Sequence, residues 1–407
     1  MTSIAQVFKM AFRNLGRNRR RSLLSALAVA LGLALLVLMR AFVTGEMRGA
    51  MENTIQLQSA HLQVRATSYD EDKVSLDWKN LIENPAGLAA QLETLPQVTM
   101  ATPRLFATGI ITLGDQSRGV QVVGIDPDSE ANQRFRQGLL EGEFLAADDR
   151  EGVLIGLPLA RKLKMSLGDQ VNLLVNRSDG SVDEQRFTIR GIYSTRTSSY
   201  DENTLLMPLS KAQAFTGAQD HASTILVYLQ ERDQAEAVAA SIQAPGLKVL
   251  TWRQMNALIV QFEDFAGGYM VILYLIVLGI TATVVTNTLV MAVFERTREI
   301  GVLSAIGTKS RGILMLFLVE AALLATGGVI GGWIIGSLAV WYFGTVGFNI
   351  AGFGISGILL GDTIHAYWQG RDLLNLGILT YVVTLVAALY PAMLAARLEP
   401  IEALHAE

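Results

Sequence analysis

Four stretches of the chain run uncharged for long enough to cross a bilayer. They are Leu23 to Met39 (continuing as Ala41 to Val43 past Arg40), Tyr269 to Phe294, Ala321 to Gly361 and Leu373 to Ala396. The third is preceded by apolar Ile313 to Val319 across the single charge of Glu320. A helix needs about 20 mostly apolar residues to span hydrocarbon. The pattern therefore predicts transmembrane helices at 22–43, 269–293, 312–343 and 373–395. The first follows a basic stretch, as a secretory signal would. It reads as an uncleaved anchor, because its apolar run is long and no small-x-small site leads into a polar start.

Between the first two spans, residues 44–268 change character. "HLQVRA" alternates as a strand does, "PAGLAAQLETL" reads as a helix, and "VTMATPRLFATGIITLG" as a strand pair. Near the far end, "STILVYL", "RDQAEAVAASIQ" and "LKVLTW" repeat strand, helix, strand. One α/β lobe built from both ends of the segment is expected, with a second lobe inserted near 130–215. In that middle piece "NRSDGS" carries the Asp-Gly pair favoured at hairpin tips. Asp201, Glu202 and Asn203 read as a solvated turn entering a strand rather than as a metal or catalytic cluster. The predicted fold class is an α-helical membrane protein with four transmembrane helices and a large α/β extracytoplasmic domain inserted between the first and second spans.

Composition agrees with this mixed architecture: 51% hydrophobic and 17% charged is too apolar for a soluble protein and too charged for a purely intramembrane one. Cysteine is absent, so the outer domain must be stable without disulfides. Lys9, Arg13, Arg17, Arg19, Arg20 and Arg21 crowd residues 1–21, and Arg296, Arg298, Lys309 and Arg311 the 294–311 loop. Arg397 lies in the 396–407 tail. The positive-inside rule places these three segments, and both termini, in the cytoplasm. The 44–268 segment and the 344–372 loop are then outside. Residues 1–21 also set Ile4, Val7, Phe8, Ala11, Phe12 and Leu15 on one helical face, an interfacial amphipathic helix.

No G-x-x-x-x-G-K-[ST] occurs, so the sequence shows no P-loop. The four histidines have no metal-ligand spacing, and nothing marks a nucleophile. No catalytic and no metal site is expected, and no enzyme. A proton-coupled carrier would need ionisable groups near the midplane. The spans offer Glu320, near the cytoplasmic side and suited to pairing with a loop arginine, and Arg40 near the outer edge.

Four stretches carry a family likeness: "GLPLARKLKMSLGDQVNLL", "FTIRGIYSTRTSSYDENTLLMPLSKAQAF", "FERTREIGVLSAIG" and "LYPAMLAARLEPIEAL". They resemble the FtsX/MacB-type (type VII) ABC transporter permeases, and within these the Lol-type lipoprotein-releasing permeases. MacB-like proteins carry an ATPase ahead of the first span, where this sequence has only 21 residues. The resemblance implies an inner-membrane permease subunit without its own ATPase site. It also implies a dimeric ABC ATPase that binds ATP and Mg, a second permease subunit in a homo- or heterodimer, and a periplasmic carrier or adaptor protein. Membrane lipids and a lipoprotein or amphiphilic substrate complete the expected partners; no cofactor on this chain and no nucleic acid are expected. Peptide or drug efflux, or mechanical control of a periplasmic enzyme, are the alternatives.

The segment between the second and third spans then reads as the ATPase-coupling helix, with Glu295, Arg296, Arg298, Glu299, Ile300, Gly301 and Leu303 as its contact residues. Glu295 and Glu299 are like charges at i,i+4, unfavourable in isolation and better suited to a complementary surface. Gly301 suggests close approach of a partner, and Gly307 a C-cap. Gly328, Gly332 and Gly336 repeat at i,i+4 and predict close helix packing. Asn287 needs a hydrogen-bond partner in hydrocarbon and is expected to face protein. Arg40 either snorkels to the outer headgroups or lines the rim of a substrate cavity.

Overall fold

A computed structural model describes residues 4–17, 19–70, 74, 76–242, 244–351 and 358–398. The chain opens with α1 (Ile4–Arg17), α2 (Arg19–Thr54), β1 (Leu62–Ala66), β2 (Ile82–Glu83), α3 (Pro85–Glu93), β3 (Val98–Leu113) and β4 (Gln116–Ile125). Next come α4 (Gln133–Gln137), β5 (Leu139–Gly142), β6 (Gly152–Gly156), α5 (Leu157–Leu163), β7 (Gln170–Asn176) and β8 (Val182–Tyr193). They are followed by α6 (Ser198–Asp201), β9 (Thr204–Pro208), α7 (Leu209–Thr216), β10 (His221–Ala222), β11 (Thr224–Leu229), α8 (Ala235–Ser241), β12 (Leu247–Thr251) and α9 (Trp252–Met255). The long helices α10 (Ala257–Glu295), α12 (Ser310–Val346) and α13 (Gly370–Ala396) complete the chain, with short α11 (Thr297–Ala305) between the first two.

Two compact units form. One comprises Met1–Glu46, Glu263–Phe348 and His365–Glu407; the other Met47–Phe262 and Asn349–Ile364. Among the described residues, four helices are long and apolar enough to cross a membrane: α2, α10, α12 and α13. The first two outrun their apolar stretches, α2 continuing to Thr54 and α10 starting at Ala257. A helix has no reason to stop at the headgroups when the next residues, such as Glu46, Met47 and Arg48, are good helix formers.

In the membrane unit the side chains meet in successive layers. Leu33, Leu36, Val37, Leu278, Val340 and Leu376 form one. Val29, Val285, Leu289, Ala321 and Ala388 form another, and Val293, Ile300, Ile313, Phe317 and Ala392 a third. Close approach depends on glycine. A Cβ on Gly328 would stand 2.6 Å from Val29 Cβ, and one on Gly332 would stand 2.9 Å from both the Ala30 carbonyl and Leu33 Cβ. For Gly336 the nearest atom is Val37 Cβ at 3.2 Å. The stripe thus seats α12 against α2 of the same chain.

The second unit is built on one ten-stranded sheet in the order β12-β1-β11-β3-β4-β9-β6-β8-β5, with β7 pairing β3 and β8. The β7–β8 hairpin turns at Asp179-Gly180, where Gly180 has φ +81° and Asp179 Oδ1 accepts from the Ser181 amide. Local capping sets the helices that flank the sheet. Asn84 Oδ1 accepts from the Gly87 amide at the start of α3, which has Pro85 at its first turn, and Thr251 with Gln254 forms a capping box at α9.

Two cores share the sheet. One gathers Leu62, Val64, Leu92, Ile225, Val227 and Trp252, from both ends of the segment. The other gathers Ile155, Leu159, Val171, Phe187, Leu205 and Phe215, but also Leu105, Ile111 and Val122. This second core therefore begins before position 130. The reason is β3, whose start pairs with β11 while Gly109–Thr112 pair with β7. One strand serves both lobes. The tail beyond Leu398 lies outside the described residues.

Candidate coupling site

α11 is set apart at both ends. Arg296 breaks from α10 as its N-cap with φ −114° and ψ 17°. At the other end Gly307 takes φ +92°, its amide donates to the Ser304 carbonyl (3.0 Å), and the Thr308 amide donates to the Leu303 carbonyl (3.0 Å). That is the paired-bond pattern of a Schellman stop, which requires the left-handed residue that glycine supplies.

The two sides of α11 differ. Ile300 and Gly301 are buried within the chain, Ile300 against Val293, Ile313 and Phe317. Arg298, Val302 and Ile306 face outward, and Ile306 is 74% exposed. Leu303 is half-buried. Gly301 therefore meets its own chain, not an outside surface, and the reading of it as a point of partner approach is corrected. A groove of about 550 Å³ lies beside α11, lined by Ser304, Arg311, Leu314, Met393 and Arg397 among others.

The charges of this segment have partners within the chain. Both guanidinium nitrogens Nη1 and Nη2 of Arg21 donate to the Glu295 carboxylate, and Arg17 Nη2 donates to Glu299 Oε1 at 2.5 Å. Arg296 is 5% exposed; its Nη1 lies 3.5 Å from Glu320 Oε2, and its Nη2 donates to the Asn14 carbonyl at 3.2 Å. Glu295 and Glu299 are thus neutralised by basic residues of α1 and α2 nearly three hundred positions earlier. The side chains of both acids stay partly exposed, Glu295 at 41% and Glu299 at 53%. Sequence held a signal for this pairing: residues 1–21 carry basic side chains and no acid, and the 294–311 segment carries Glu295 and Glu299.

Two family models match the chain. One describes a MacB-like periplasmic core domain over residues 22–244, and the other an FtsX-like permease C-terminal region over residues 271–400. The chain belongs to the FtsX/MacB-type permeases. It is 23% identical to the lipoprotein-releasing system transmembrane protein LolC of Neisseria meningitidis, across 95% of this chain and 94% of that protein. It is 24% identical to the macrolide export ATP-binding/permease protein MacB of Acinetobacter baylyi, across 99% of this chain and 60% of that protein. A crystal structure of the periplasmic region of MacB from Actinobacillus actinomycetemcomitans aligns at 14% identity and TM-score 0.36, over 52% of this chain and 97% of that one.

The remaining expected positions of this permease divide. Arg40 does not stand alone at a cavity rim: its Nε donates to Asp372 Oδ2 at 3.0 Å, at the first turn of α13. The crevice beside them, between Val37, Val340, Trp368 and Leu373, holds about 20 Å³, room for one water. Asn287 lies on the exposed face of α10, with no hydrogen bond among the described residues, so the expected cover is not provided within one chain.

Asp201 differs from its sequence reading. It is fully buried, not solvated, and accepts from the Thr195 amide (2.8 Å), the Thr195 hydroxyl (2.7 Å) and the Ser194 hydroxyl (3.3 Å). Burial pushes its carboxyl up to about 6, against the opposing pull of those bonds. Beside it Glu202 pairs with Arg118 and Lys162. Among the described residues no group of three or more His, Cys, Asp or Glu could hold a metal ion.

Proposed function

We propose that this chain is the membrane subunit through which a separate dimeric ATPase, binding ATP and Mg, does work on the outer side of the bacterial inner membrane. The observation that carries the reading is the outward apolar face of α11. Val302 and Ile306 stand exposed beside Arg298 on a short helix held rigidly between two spans. Exposed apolar residues on a capped, anchored helix suit a protein partner. Its basic surroundings, Arg311 and Arg397 at the adjoining groove, suit an acidic one. Orientation follows from the basic residues, with both termini cytoplasmic and the sheet-bearing unit periplasmic.

The work proposed is extraction of lipoproteins from the inner membrane and their release toward the outer membrane through a periplasmic carrier. The match to LolC over nearly the full length of both chains supports it. Export of peptides or drugs with an adaptor protein is the second reading, supported by the match to MacB. Either use needs a second permease subunit, the same chain or a homologue. Asn287 on the exposed face of α10 marks a surface for it, because a polar side chain without a hydrogen bond in hydrocarbon needs a protein partner, whereas the neighbouring Thr283 hydroxyl is satisfied by the Gly279 carbonyl.

The test is co-purification of the ATPase with the full-length permease. Val302→Glu combined with Ile306→Glu is expected to abolish it while membrane insertion is unchanged, since both side chains are already outside the fold. Retention of the ATPase at wild-type stoichiometry would sink the coupling assignment.

A further inference from the structure

We propose that Arg17, Arg21 and Arg296 are positioning residues that lock the N-terminal elbow, α1 with the first turn of α2, to α11, so that a displacement of α11 moves the first span directly. The proposal rests on the reading of α11 as the ATPase-facing helix and goes beyond it. Along the chain α11 is joined only to α10 and α12. The elbow reaches the α10–α11 junction through space at three points: Arg17 on Glu299 in the first turn of α11, Arg21 on Glu295 at the end of α10, and the Asn14 carbonyl on Arg296, the N-cap of α11. Arg296 closes the set by also meeting Glu320 of α12.

The last turn of α1 is built around this junction. Helix C-termini leave carbonyls without intrahelical donors. Here the Asn14 carbonyl accepts from Arg296, the Leu15 carbonyl from the Ser22 hydroxyl (3.2 Å), and the Gly16 carbonyl from Arg19 Nε (3.2 Å). A cation at this end is also favoured by the helix dipole. The first of these bonds ties the elbow to the Arg296 junction, while the other two close the end of α1 from within the elbow.

Placement divides the labour. The ionic contacts cluster at Glu295, Arg296 and Glu299, ahead of α11 and in its first turn, while Val302 and Ile306 remain outside. One part of the segment is free for a partner, and another is committed to the elbow. Exposure is graded too: side chains of Arg17 and Glu299 are more than half exposed, whereas those of Arg296 and Glu320 are 6% exposed. Exposed pairs are individually weak, so the lock depends on the set and must be broken at more than one member.

The cysteine-free chain permits a clean spin-label pair at Lys9→Cys and Tyr390→Cys, both exposed, on α1 and α13. In the full-length permease bound to its ATPase, a non-hydrolysable ATP analogue is expected to shift the label distance. Glu295→Arg with Glu299→Arg is expected to remove the shift without releasing the ATPase, and adding Arg17→Glu with Arg21→Glu is expected to restore it. The proposal is overturned if the wild-type complex shows no shift, if the reversal leaves the shift intact, or if the swap fails to restore it. Should the wild-type permease bind no ATPase, the coupling reading fails on its own. The lock is then judged in the permease alone, where the reversal must broaden the distance distribution and the swap must narrow it again; an unchanged distribution overturns it.

Discussion

Adjacent glycines on α12 should respond to the same substitution with opposite signs. A Cβ on Gly328 would meet Val29 Cβ at 2.6 Å, Val29 Cγ1 at 2.7 Å and the Ala26 carbonyl at 3.0 Å. Carbon pairs rest near 3.5–4.0 Å, so the two helices would have to separate by about 1 Å along that line. Rotating Val29 gives no relief, because its Cβ is fixed to the backbone. Overpacking of this kind costs about 1–3 kcal/mol, and the gain of about 0.5–1 kcal/mol in helix preference offsets part of it. At Gly327 an added Cβ meets nothing within 4 Å, so only the gain remains. Gly328→Ala and Gly327→Ala should therefore differ by about 2 kcal/mol, roughly thirtyfold in an unfolding equilibrium. A denaturing-detergent titration in micelles, followed by a fluorophore pair on α2 and α12, measures the difference. Equal midpoints for the two variants, or a more stable Gly328→Ala, would refute the seating of α12 on α2 through this stripe.

Asp201 should make the sheet-bearing unit more stable in mild acid. Its folded carboxyl lies near 6, above the usual value of about 3.9, so its stabilising contribution is full below about pH 4 and is lost as pH rises through 6. The loss is about 2–3 kcal/mol, and Asp201→Asn should flatten that part of the profile; thermal unfolding at pH 4.5 and 7.5 decides, and parallel profiles would contradict the burial. Glu320→Ala should destabilise the membrane unit by about 3–5 kcal/mol by leaving the Arg296 cation buried and unpaired. Glu320→Ala with Arg296→Met should recover most of that in the same detergent titration, and no recovery would mean the pair is not the cause. For topology, Asp179→Cys should react with an impermeant maleimide in intact spheroplasts and Ala305→Cys only after lysis. The reverse pattern would overturn the orientation.

Much of the membrane architecture was legible because lipid imposes a one-dimensional rule: a charge-free run of sufficient length satisfies its backbone in hydrocarbon only as a spanning helix. Helix stops were legible where a single residue decides them, as at Gly307. What periodicity could not supply was the identity of the surface each face meets. Glu295 and Glu299 read as unneutralised because their arginines come from α1 and α2, and Gly301 read as a docking position although it turns inward. Asp201 misled in the opposite direction. A carboxylate in a polar string reads as solvent-facing, yet backbone and hydroxyl donors from Ser194 and Thr195 hold it inside.

These corrections sharpen the functional reading. With the acids of 294–299 paired within the chain, charge reversal at Glu299 sets a cation against Arg17 and so tests the contact with the elbow. Among the described residues, the larger side chains of α11 and its C-cap that stand exposed without an ion pair or hydrogen bond are Arg298, Val302 and Ile306. Ile300, two positions before Val302 and of similar bulk, is 4% exposed. Two positions turn a helix by about 200°, so Ile300 and Val302 lie on opposite faces, one turned into the chain and one away from it. Val302 and Ile306 stay outside on a segment fixed at one end by a buried ion pair and stopped at the other by a left-handed glycine, and it is this face that we propose as the docking surface for a second protein.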